Sequence, residues 1–195
     1  ARLTRGTLIL RKATVDMAEV VRHAVDLTRP LIDECQHQFT ISIADEPLLI
    51  HGDSVRLTQI VENLLTNASK FTDEGGKLSL DVHREDKELV LQVKDNGIGI
   101  PGDMLPRIFD LFAQEERAVR KSSGGLGIGL ALVSQLVSLH GGSIEAFSEG
   151  AGNGSLFTLR FPVSDTTPAE KPKVIQSELV PGAGHHTASL YPGGG

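Results

Sequence analysis

The chain has 195 residues, 39% of them hydrophobic and only 4% aromatic, which suits one globular domain with a sizeable core and further segments at its ends. A formal net charge of -6 argues against a nucleic-acid surface, and no run approaches the about 18 apolar residues that a membrane span requires. The single cysteine, Cys35, excludes an internal disulfide framework, fits a reducing cytoplasmic compartment and reads as a small core residue.

In chain order, "TLILRK" (7–12) reads as a short strand. Met17, Val20, Val21, Ala24, Leu27, Leu31 and Cys35 then recur at helical spacing, with Thr14 or Asp16 as cap and Pro30 placed to bend the helix. "FTISIA" (39–44) alternates as a strand. The clearest helix follows, capped by Asp53 or Ser54, with Val55, Leu57, Ile60, Val61, Leu64, Leu65 and Ala68 along its apolar side. "KLSLDVHREDKELVLQVKD" (77–95) gives two strands around a charged turn. "IGLALVSQLVSLHGG" is a helix ended by Gly141 and Gly142, and "SIEAFS" with "SLFTLRF" forms a closing hairpin. Five of the nine prolines fall within 162–195, so the end of the chain reads as a linker or disordered tail. Strands and helices do not alternate strictly, which predicts an α+β sandwich with a mixed sheet.

Several stretches carry chemistry-bearing residues. Gly124, Gly125, Gly127 and Gly129 stand at the mouth of a helix, although each glycine inside a helix costs about 1 kcal/mol. Either this is a flexible loop or a phosphate approaches the backbone there. "GIGIPG" (97–102) matches a dinucleotide-binding pattern, but Pro101 and Pro106 interrupt the helix it needs and no acid-ended strand follows. A phosphate loop is absent, because no Gly-Lys-Ser/Thr follows any glycine cluster. Asn63, Asn67, Lys70 and Phe71 share one side of the best helix. They are either a solvated face or neutral oxygen ligands for Mg²⁺ with a cation for phosphate, and Phe71 is either core or a wall against a planar base. Asp95, before Gly97 and Gly99, is a turn residue or a base-reading carboxylate. Phe109 and Phe112 pack, or expose an apolar patch.

In this order, "NLLTNASKFT", "DNGIGI", "IFDLF" and "GGLGIGLAL" resemble the N, G1, F and G2 boxes of the ATP-binding domain of sensor histidine kinases, over about residues 7–162. The resemblance implies the Bergerat-type two-layer sandwich, a mixed sheet against helices. It implies that Asn63 and Asn67 hold Mg²⁺, that Lys70 touches phosphates, and that Asp95 accepts from the adenine amino group. Phe71, Gly97, Gly99, Ile100 and Phe112 would complete the base pocket. Gly125, Leu126, Gly127, Ile128, Gly129 and Leu130 would offer backbone N–H groups to phosphate at the start of a helix. Residues between about 102 and 125 would form a lid, with Arg117, Arg120 and Lys121 within reach of phosphate. The domain would span 7–163, after the end of a helical linker or dimerisation region (1–6) and before the tail (164–195).

The related topoisomerase, chaperone and mismatch-repair ATPases place a general-base Glu where this chain has Asn63, and an amide takes no proton from water. Glu62 is turned about 100° around the helix. Transfer to an outside acceptor is therefore expected, with an ATPase or a non-catalytic ATP-binding module as the alternatives. The acceptor is not evident: "HAVDLTRPL" (23–31) lacks an acid after His23, and His140 reads as a helix C-terminal residue. Beginning at Ala1 without a signal pattern, the chain reads as a piece of a longer protein. Expected partners are the His-containing dimerisation domain of that protein and a response-regulator receiver domain, with no nucleic acid. The parent is expected as a homodimer, open to a membrane anchor, and this fragment as a monomer.

Overall fold

The computed structural model of the chain describes residues 8–110 and 129–165. Alternation builds the sheet. In β4 (Lys77–Glu85) Leu78, Leu80 and Val82 turn inward, and in β5 (Glu88–Asp95) Leu89, Leu91 and Val93 do the same. The two form an antiparallel hairpin closed at Asp86, whose short side chain tolerates a left-handed φ of 53°. β5 pairs antiparallel with β7 (Ser155–Pro162), and β7 with β6 (Ser143–Phe147). β2 (Gln38–Ile43) lies parallel to β4, giving the order β2-β4-β5-β7-β6. That one parallel pair needs a crossover, which runs through β3 (Leu49–Gly52) and α2 (Ser54–Lys70).

The expected strand at 7–12 is displaced. None of residues 8–12 is in a strand; pairing begins in β1 (Ala13–Asp16), because only there does β3 supply a partner, from Ala13↔Gly52 to Asp16↔Leu49. β3 itself is an element that the sequence pattern did not announce. At the far end Val163 bridges to Ile50 and the Ser164 N–H reaches Leu49 O at 2.7 Å, tying the chain after β7 to this ribbon.

α1 (Met17–Glu34) is capped by Asp16 rather than Thr14, its Oδ1 accepting from the Ala18 N–H at 2.9 Å. Pro30 sits on its exposed side, and the helix runs four residues beyond it. α2 is capped by Asp53, as the sequence indicates. α3 (Gly129–Leu139) ends at Gly141, φ 71°, with Gly141 N–H on Ser138 O and Gly142 N–H on Val137 O, both 3.0 Å. The helices bury Val21, Leu57, Leu64 and Val133 against Leu91, Phe157 and Phe161 of the sheet. This is the expected two-layer α+β sandwich. After "GIGIPG" comes a short 3₁₀ turn (Leu105–Arg107) and the strands beside β5 are antiparallel, so no dinucleotide unit is present there.

Candidate nucleotide-binding site

β5 ends at Asp95, which is only 3% exposed. Its Oδ1 accepts the Gly97 N–H at 2.9 Å and its Oδ2 accepts the Ser155 hydroxyl at 2.7 Å. A carboxylate has about four lone-pair sites. With two engaged, acceptor capacity remains for a further donor such as an adenine amino group. Ser155 carries no sequence signal of its own: it faces Asp95 in the β5–β7 ladder, and nothing local in "GSLFTLRF" announces that register.

The glycines after Asp95 serve the protein's own backbone. A Cβ on Gly97 would stand 2.0 Å from Phe71 O, and one on Gly99, whose φ is 70°, would stand 2.1 Å from Gly150 O. The loop therefore packs on the end of α2 and on the β6–β7 connection. The Ile98 N–H donates to Phe71 O at 2.9 Å, and the Ile100 N–H to Ser148 Oγ at 3.0 Å. Ile100 is 0% exposed in the core, so its side chain supports the loop from beneath.

On α2, Asn67 is 8% exposed, Asn63 half-buried and Lys70 exposed in the last turn. Phe71 is buried at the C-cap, which favours the core alternative for its ring. Among the described residues the buried Thr72 hydroxyl has no hydrogen-bond partner, and it lies 2.8 Å from the Cβ position of Gly97, beside the Asp95 loop. α3 begins against α2: a Cβ on Gly129 would be 4.0 Å from Asn63 Oδ1. Leu130 is buried in the core, so only its backbone is left to offer a ligand. Glu62 instead lines a groove of about 570 Å³ between α1 and α2, together with His23 and Leu27. His23 is exposed there on α1.

The donor set fits Mg-ATP. Amide oxygens suit a hard cation whose remaining ligands are phosphate oxygens and water, and a helix start beside them suits phosphate. Among the described residues no group of three or more His, Cys, Asp or Glu offers a protein-only metal site. Phe112, Gly125, Leu126, Gly127, Ile128 and the basic residues assigned to the lid lie outside the described residues. Of the expected lid, 102–110 is described: Met104 and Ile108 are buried, and Phe109 packs edge-on against Phe157 at 6.2 Å. Of the two alternatives for Phe109, packing against the core is the one observed.

A family profile described as histidine kinase-, DNA gyrase B- and HSP90-like ATPase matches residues 52–165. The sensor histidine kinase WalK of Bacillus subtilis is 39% identical over 130 residues, 65% of this chain and 21% of that protein. A solved structure of full-length ShkA in complex with AMPPNP superposes with a TM-score of 0.72 at 32% identity, covering 86% of this chain and 34% of that one. The histidine kinase ThkA, solved in complex with the response regulator TrrA, shares the fold at TM-score 0.65 and 24% identity, over 80% of this chain and 42% of its own. The chain spans about a fifth or less of the length of the curated relatives it matches. Among the described residues, no helix is long and apolar enough to cross a membrane.

Proposed function

The chain belongs to the family of histidine kinase-, DNA gyrase B- and HSP90-like ATPases and carries a catalytic domain of the histidine kinase type, and on that premise we propose that it binds Mg-ATP and passes the γ-phosphoryl group to a histidine on a separate dimerisation domain of its own protein. The observation that carries this is Asp95, a buried carboxylate held by Gly97 and Ser155 with acceptor capacity left, at one end of a site whose other end is Asn63 beside the start of α3. Asp95 selects adenine by accepting from its amino group. Asn63 and Asn67 present oxygen ligands to Mg²⁺, which neutralises phosphate charge when bound. Lys70 and the N–H groups leading into Gly129 hold the phosphates. The acceptor imidazole nitrogen forms its bond to phosphorus as the bond to the bridging oxygen of ADP breaks; the site positions and stabilises rather than reacts.

Hydrolysis is not favoured. Asn63 cannot act as a base, and Glu62 is directed into the α1–α2 groove. The parent is proposed to be a homodimer whose phosphohistidine supplies a response-regulator receiver domain. The domain limits of about 7–163, with linker and tail outside them, belong to the same proposal. Incubated with radioactive Mg-ATP, the chain alone should bind nucleotide, hydrolyse little and label nothing on itself. Given the helical dimerisation domain of its parent, it should label the histidine there. Rapid turnover by the chain alone would favour an ATPase; tight binding with no labelling of the partner would favour a non-catalytic module.

A further inference from the structure

The polypeptide comes into the fold through residues 8–12, where the Arg11 N–H donates to Asp53 Oδ2 at 2.9 Å. The other oxygen of that carboxylate accepts the N–H groups of Val55 and Arg56 at 3.1 and 3.2 Å and so caps α2. The Asp53 N–H in turn donates to His140 Nε2 at 3.1 Å, and His140 Nδ1 donates to Leu136 O at 2.7 Å in the last turn of α3. The ring packs edge-on against Phe161 at 6.2 Å, and a Cβ on Gly52 would meet its Cδ2 at 2.8 Å.

The imidazole is neutral, since Nε2 must accept. Burial pushes its pKa down and nearby Lys12 adds to this, while the Leu136 bond and Asp53 act the other way. Burial tends to raise the Asp53 carboxyl, but the N–H groups of Arg11, Arg56 and Val55 together with the Arg56 charge hold it below the usual range.

α2 and α3 therefore touch at two named places. Asp53 meets His140 at one end, and Gly129, whose Cβ would stand 4.0 Å from Asn63 Oδ1, faces Asn63 at the other, ten and eleven residues along. At 1.5 Å per residue the two contacts are about 15 Å apart. A tilt of roughly 5° about the first would move the second by over 1 Å, a misplacement that costs up to about 100-fold in a positioned reaction.

We infer that His140 is a positioning residue for the nucleotide site: bonded to Asp53 where α2 starts and α3 ends, it sets the separation at which Gly129 faces Asn63, and through Asp53 it ties that separation to the incoming chain at Arg11. The assignment rests on the Mg-ATP reading above. His140→Phe keeps the ring contact with Phe161 and loses both nitrogens, whereas His140→Gln restores an acceptor and a donor. Asp53→Asn keeps a capping oxygen but turns an NH₂ toward the Arg11 N–H.

The test uses the whole chain, titrated calorimetrically with adenosine and with Mg-AMPPNP, together with amide exchange at Val133–Leu136, whose N–H groups close the first turns of α3. His140→Phe should bind Mg-AMPPNP about tenfold more weakly and adenosine within about twofold of the parent chain. Its Val133–Leu136 amides should exchange faster while those of β5 and β7 do not. His140→Gln should recover most of both effects, and Asp53→Asn should shift both in the same direction. Unchanged binding and exchange in His140→Phe would overturn the inference. So would equal weakening of both ligands with faster exchange throughout the sheet, the signature of a merely structural role. If the parent chain binds neither ligand, the Mg-ATP reading fails, and the exchange contrast alone decides whether His140 sets the helix pair.

Discussion

Replacing Gly97 by Ala tests why glycine stands beside Asp95. The new Cβ would lie 2.0 Å from Phe71 O, 2.8 Å from Phe71 C and 2.8 Å from Thr72 Oγ1. An ordinary carbon–oxygen contact is about 3.3 Å. The nearest atoms are backbone, so no rotamer change relieves the overlap, and the loop must part from the end of α2 by roughly 1 Å. That separation breaks the 2.9 Å bond from the Ile98 N–H to Phe71 O, worth about 1 kcal/mol. Overpacking adds about 1–3 kcal/mol, for a total near 2–4 kcal/mol. Gly102→Ala is the control, because nothing lies within 4 Å of its Cβ position and its φ is not left-handed; it should stay within about 0.5 kcal/mol. Guanidinium unfolding of the two variants side by side measures the difference. Adenine affinity should fall with stability in Gly97→Ala, since the N–H of residue 97 itself, displaced with the loop, is the donor to Asp95 Oδ1. If Gly97→Ala unfolds at the same denaturant concentration as Gly102→Ala and loses only nucleotide binding, the backbone-packing explanation is refuted and the glycine serves the ligand instead.

Ser155→Ala leaves Asp95 Oδ2 buried without its donor; unfolding should show a loss of about 1.5–3 kcal/mol, and Ser155→Thr should recover most of it. Gln36 closes α1 at φ 54° with its N–H on Asp33 O and that of His37 on Ile32 O, so Gln36→Gly should raise stability by about 0.5–1 kcal/mol in the same assay. Two histidines should tilt the pH dependence in opposite directions. His83, bonded first to Glu85 and then to Asp81, has its pKa raised above 6.5, so its contribution is full below that pH and fades as pH rises through the raised value; His83→Gln should remove that decline. His140 has its pKa lowered by burial, so its contribution holds above 6.5 and is lost as pH falls below it; His140→Gln should remove that acid-side loss.

Most of the fold was legible where the determinants are local. The Asp53 cap and apolar face of α2, the alternation of β4 and β5, and the glycine stop at Gly141 each lie within a few residues of one another. β1 and β3 were misplaced or missed because they are short and exist by pairing across more than thirty residues, which no local period records. Asn63, Asn67 and Asp95 of the proposed site are named by the ordered boxes, and a Cβ built on Gly129 would stand 4.0 Å from Asn63 Oδ1. Ser155 and the Asp53–His140 bond could not be named, since each depends on register or on a helix crossing. The glycines show a subtler limit: their spacing marks a close approach but not what approaches, and at Gly97 and Gly99 it is the chain's own carbonyls.

An adenine-selective site built on Asp95 must discriminate Mg-ATP from Mg-GTP, and calorimetric titration with each nucleotide measures that discrimination. Guanine presents a carbonyl oxygen where adenine presents its amino group, so the carboxylate would face a second acceptor. The parent chain should bind Mg-ATP at least about tenfold more tightly, a difference of about 1.4 kcal/mol. Asp95→Ala should abolish the preference. Equal affinities for the two nucleotides in the parent chain would contradict the assignment of Asp95, and with it the site.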